Sequence, residues 1–175
     1  MRCGLIPILL ALRPTAVVVP SYRFLRMTIT ANVTQPSSIL FNLAYSANGG
    51  VSYLPASNMT SNSLPSPLVA LADSEASGAY AAFCAFDEIT FPASPATLWF
   101  SDGVVPPHWL QIDLGVGNGI RPNRVKMQTY QGYEPQDFNV AGSATGAFTG
   151  EEVTLLTVTG ETGKVHAAVT TYTIP

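Results

Sequence analysis

Charge is what this chain has least of. Asp, Glu, Lys and Arg make up only 11% of its 175 residues, against about a quarter in an ordinary globular domain. The net charge is −3 and the few Lys and Arg are scattered, so no basic stripe exists to neutralise a phosphate backbone. Nucleic-acid binding is therefore not expected. Cysteine is just as scarce. Cys3 and Cys84 lack metal-ligand spacing, and Cys84 lies inside an apolar Ala-Phe-Cys-Ala-Phe run, which reads as a buried free thiol. The two histidines, His108 and His166, have no recognisable catalytic partner. No Gly-x-Ser-x-Gly elbow is present, and a serine without a positioned base is not a nucleophile. Asp87, Glu88, Asp102, Asp113 and Glu134 leave glycoside hydrolysis by a carboxylate pair as the one enzymatic route; the chain is read as a non-enzyme. No apolar run is long enough to cross a bilayer.

What is present is apolar and rich in turns. Hydrophobic residues reach 47%, with 14 Gly and 14 Pro, which suits an all-β domain with many reversals. From Tyr22 to Thr30 the residues alternate, with Arg23, Leu25, Met27 and Ile29 on one face and Tyr22, Phe24, Arg26, Thr28 and Thr30 on the other. Both faces are partly apolar, so this strand is expected to be covered on two sides. Further strands are predicted at 38–45, 107–115, 124–130, 137–143, 153–158 and 167–174. Residues 55–79 read as a long surface connection anchored by Leu68–Leu71, and 75–86 as a helical turn. Residues 88–96 form a proline-rich loop. The first and last strands are expected to lie side by side.

Residues 1–20 open with Met-Arg and the run Cys-Gly-Leu-Ile-Pro-Ile-Leu-Leu-Ala-Leu. A signal peptide would look similar, but Pro7 and Arg13-Pro14 interrupt it and no small-x-small cleavage site follows. The segment is read as an apolar arm that packs on another subunit, leaving residues 21–175 as one domain.

Two phrases carry family resemblances. Ala85-Phe-Asp87, Thr97-Leu-Trp99 and Pro107-His-Trp-Leu-Gln-Ile-Asp-Leu-Gly115 together resemble the signature of the discoidin, or coagulation-factor type C, domain. Asp137-Phe-Asn-Val-Ala-Gly-Ser143 resembles a later strand of the same family. Tyr22-Arg-Phe-Leu-Arg-Met-Thr-Ile-Thr-Ala-Asn32 resembles an opening found before discoidin-like domains in tailed-phage structural proteins. These resemblances imply a galactose-binding-like jelly-roll β-sandwich in a virion protein, whether of tail, baseplate, fibre or capsid decoration. Its partners would be other virion proteins, further copies of itself and host-surface glycan. A stand-alone carbohydrate-binding module is the alternative.

Trp99, Trp109 and Asp113 fall on the family's framework positions, the tryptophans as core and Asp113 as a bond to loop backbone. In relatives the equivalents of Asp87 and Thr97, with an early-strand glutamate, enclose a structural calcium. Here Asp87-Glu88-Ile89 replaces Asp-Gly-Asn and residues 38–43 lack the glutamate, so Asp87 is expected to cap backbone and no cofactor is expected. Family geometry places any sugar site on loops at one end of the sandwich, where an exposed aromatic can cover the sugar ring. The loop candidates are Phe100, Asp102, His108, Tyr130, Tyr133 and Glu134, the last three forming the best cluster.

Overall fold

A computed structural model describes residues 20–87, 98–130 and 132–175, with backbone only for residues 39–41. Among the described residues nine strands make two antiparallel sheets. They are β1 (Phe24–Asn32), β2 (Ile39–Ser46), β3 (Val69–Ala72), β4 (Trp99–Phe100), β5 (His108–Asp113), β6 (Arg124–Thr129), β7 (Pro135–Ser143), β8 (Val153–Val158) and β9 (Val169–Thr173). One sheet runs β3-β5-β1-β7-β8 and the other β4-β2-β6-β9. Two 3₁₀ turns, Gly78–Tyr80 and Ala82–Phe86, occupy the stretch expected to be helical. The all-β expectation holds. The apolar run of the arm, the 88–96 loop, Cys3 and Thr97 lie outside the described residues.

The core forms where the two sheets face each other. Strand alternation turns Leu25, Met27 and Ile29 of β1 inward, all without exposure, beside Leu110 and Ile112 of β5. Leu43 and Tyr45 of β2 and Val125 and Met127 of β6 close the other side. Each such side chain contributes about 1.5–3 kcal/mol by leaving water. Trp99 is fully buried and its indole N–H donates to the Ser74 carbonyl at 3.0 Å, so its polar edge is satisfied. Cys84 is likewise buried.

The phrases Tyr22–Asn32 and Pro107–Gly115 lie on neighbouring strands that interlock. β1 pairs with β5 from Phe24↔Asp113 to Ile29↔His108. On their outward side Arg23 grips Asp113 with Nε and Nη2, both at 2.6 Å, a bidentate pair. Asp113 Oδ1 also accepts from the Gly115 N–H at 2.8 Å, the loop-backbone bond expected of it. Arg26 donates through Nε and Nη2 to Gln111 Oε1 at 3.1 and 2.7 Å. Its guanidinium lies 4.2 Å from the Trp109 ring centroid and 3.9 Å from that of Phe148. Burial between these rings lowers the Arg26 pKa.

Three expectations are corrected here. Trp109 is not core: Leu110 and Ile112 take the inward positions, so parity sends Trp109 outward, half-buried beneath Arg26. Among the described residues no second layer covers the outer face of β1, where Phe24, Arg26 and Thr28 are half-buried by one another and their neighbours. The first and last strands are not side by side, since β1 sits mid-sheet between β5 and β7 while β9 edges the opposite sheet. At the head of β1, Tyr22 packs flat on Gly142 of β7. A Cβ at Gly142 would meet the Tyr22 ring at 2.3 Å, so only glycine fits.

Candidate functional site

The connections β1–β2, β4–β5, β6–β7 and β8–β9 all emerge at one end of the sandwich, as the antiparallel order requires. Aromatic side chains gather there. Tyr130 and Tyr133, on the β6–β7 connection, meet edge to face with centroids 5.9 Å apart. Tyr133 meets Phe100 at the end of β4 at 5.8 Å, and Phe100 meets Tyr80 at 5.6 Å. On the other flank His166, from the β8–β9 connection, stands edge-on to Tyr130 at 4.5 Å. Buried Leu98 underlies Tyr80, Phe100 and Tyr133. Each edge-to-face pair adds about 0.5–1.5 kcal/mol beyond area burial. The row is therefore held rigid while Tyr130 keeps 37% of its surface exposed.

The polar candidates are used differently. Glu134 is buried, and its carboxylate accepts from the Gly132 N–H at 2.5 Å, bracing the loop that carries Tyr133. Buried Lys164 lies behind it, donating from Nζ to the Pro135 carbonyl at 3.0 Å, and burial lowers the Lys164 pKa although Glu161 and Glu134 oppose the shift. Glu134 thus supports this loop. His108, expected at an exposed turn or in a sugar site, is buried at the start of β5. Its Nδ1 lies 2.9 Å from Asp73 Oδ2 and its Nε2 lies 2.8 Å from the Val104 carbonyl. Asp73 Oδ1 also accepts from the Trp109 N–H at 2.7 Å, so His108 ties the β3 and β5 ends together. Asp102 is half-buried; its carboxylate accepts from the Val104 N–H at 3.3 Å and its carbonyl from the Ser37 hydroxyl at 3.0 Å. It shapes its own turn.

Of the loop candidates, Tyr130, Tyr133 and Phe100 are brought together. Tyr80 and His166 complete the row and were not anticipated. Neither has a local signal: Tyr80 arrives from a 3₁₀ turn and His166 from a loop that reads as a strand start.

Asp87 is buried at the C-terminal end of the second 3₁₀ turn. Thr97, its companion in the calcium reading, lies outside the described residues. Among the described residues no three His, Cys, Asp or Glu side chains are grouped to hold a metal. No helix there is long and apolar enough to cross a membrane.

Cavities lie elsewhere among the described residues. One of about 530 Å³ at the opposite end is walled by Leu54, Pro55, Pro67, Leu114 and Ile120, with no ionisable side chain among the described residues of its lining. Another, about 190 Å³, lies on the outer face between Arg26, Asn139, Phe148 and Glu152. Set against family models, curated proteins and solved structures, the chain matches none.

Proposed function

We propose that this chain is a non-catalytic structural subunit of a tailed-bacteriophage particle, built on a discoidin-like jelly roll and holding its aromatic end toward host-surface glycan. The interlock of β1 with β5 carries the reading. The phrase shared with phage structural proteins, Tyr22 to Arg26, and the discoidin phrase, Trp109 to Asp113, engage each other through Arg23–Asp113 and Arg26–Gln111. Two phrases with separate resemblances thus lie on paired strands of one sheet. The apolar arm would dock on a neighbouring virion protein. Removing residues 1–20 is expected to abolish incorporation into particles, and undiminished assembly would refute the arm's role.

The Tyr130–Tyr133 contact favours a second reading, a stand-alone carbohydrate-binding module. A stiff, partly exposed row of rings suits stacking on the apolar face of a sugar, and the buried loop carboxylate preorganises it. On a glycan array, wild type is expected to bind and Tyr133→Ala to lose binding about tenfold or more, the worth of one stacked aromatic. Absence of binding by wild type would remove the glycan role from both readings and leave only the structural one.

A further inference from the structure

The two sides of the sandwich are finished differently. On the side bounded by β3 and β4 the edges are short and covered. The Ala70 N–H of β3 donates outward to the Asn62 carbonyl at 2.8 Å, and the Phe100 carbonyl of β4 accepts from the Ala76 N–H at 2.9 Å. The 3₁₀ turn Ala82–Phe86 packs against β2, β3 and β4. These are the usual ways of blunting an edge. The other side is bounded by β8 and β9, and there no such covering is made among the described residues.

β9 is the cleaner of these two edges. Its ladder with β6 runs from Gln128↔Val169 to Arg124↔Thr173 without a register shift. The Ile174 N–H donates to the Asn123 carbonyl at 2.8 Å, so the two-residue alternation aims Tyr172 and Thr170 at β6 as well. The N–H and C=O groups of Val169, Thr171 and Thr173 therefore point away from the sheet. Among the described residues, no hydrogen bond outside the ladder reaches them. No Asp, Glu, Lys or Arg occurs from Val165 to Pro175, and no Pro lies within the strand. Val165 and Val169 add 71% and 54% exposed side chains beside it. β8, by contrast, carries a bulge opposite Val140 and Ala141 and is framed by Glu151, Glu152 and Glu161, which would repel a second copy.

We infer that the open edge of β9 is a self-association surface, on which a second copy adds its own β9 antiparallel about a two-fold axis at Thr171. The spacing is self-complementary. With Thr171 opposite Thr171, Val169 falls opposite Thr173 and the reverse, and every outward N–H meets an outward C=O. The four-stranded sheets of two copies become one continuous sheet. The inference stands apart from the phage and glycan readings, because it concerns the purified chain alone.

Sedimentation over a range of concentrations, with hydrogen exchange, tests it. Wild type is expected to dimerise, with amide protection at Val169, Thr171 and Thr173 rising with concentration. Thr171→Pro removes an outward N–H that β6 does not use, so the monomer keeps its circular dichroism while the dimer weakens about tenfold or more. Thr171→Lys places like charges opposite each other on the axis and should do the same, which covers the case in which the proline variant does not fold. A wild type monomeric at all concentrations overturns the inference. So does a dimer that survives Thr171→Lys.

Discussion

Gly142 is where the packing of the sheet can be tested most sharply. In a strand interior, alanine normally gains about 0.5–1 kcal/mol over glycine through the unfolded chain's lost freedom. At Gly142 the added Cβ would lie 2.3, 2.6 and 2.8 Å from three atoms of the Tyr22 ring. Tyr22 is itself buried, and its N–H and C=O are pinned to Ile120 at 2.7 and 3.0 Å, so the ring has little room to retreat. Overpacking of this kind costs about 1–3 kcal/mol. Gly142→Ala is therefore expected to lose roughly 2 kcal/mol, a fall in Tm of about 4–8 °C for a chain of this length. Urea melts of Gly142→Ala, Tyr22→Ala and the double variant make a cycle. Removing the ring is expected to relieve the alanine, giving a coupling energy of about 1 kcal/mol or more. A neutral or stabilising Gly142→Ala, or additive losses in the double variant, would refute the packing of Tyr22 on β7.

Two further outcomes follow from buried titrating groups. Burial pushes the Cys84 thiol up to about 11, with Asp87 adding to the shift, so at pH 8 Cys84 is expected to resist a thiol reagent in the native protein and react on addition of denaturant; rapid native labelling would contradict its burial. Burial holds the Lys164 pKa below the ordinary lysine value of 10.5, so between the two values the unfolded chain binds more protons and stability rises with pH. Replacing Lys164 by Met is expected to flatten that rise in urea melts from pH 7 to 10, and an unchanged slope would show that Lys164 is not the source.

The strands were legible because they alternate. Leu25, Met27 and Ile29, or Val125 and Met127, declare an inward face within a few residues. Alternation does not say what covers the other face, which is why Trp109 was read as core although parity with Leu110 and Ile112 sends it outward. A large aromatic carries the same apolar signal in the core as beneath a stacked guanidinium. His108 was read as an exposed turn residue for a related reason. A polar residue in a loop phrase looks exposed until its partner is known, and the partner of His108 is Asp73, 35 residues upstream. Tyr130 and Tyr133 were legible because three residues of one loop hold them together. Tyr80 and His166 join them only through the topology.

The central position of β1 also bears on how the chain is made. It is the first described strand, yet its ladder partners end at Asp113 and Ser143. At roughly 5–20 residues per second of synthesis, β1 is complete about 6–22 s before β7 is. Through that interval Leu25, Met27 and Ile29 have no finished sheet to enter, and closure must await contacts of long sequence separation, which are slow to form. The strand at the middle of the finished sheet is therefore the one that waits longest, its apolar face unpaired until β5 and β7 have been made.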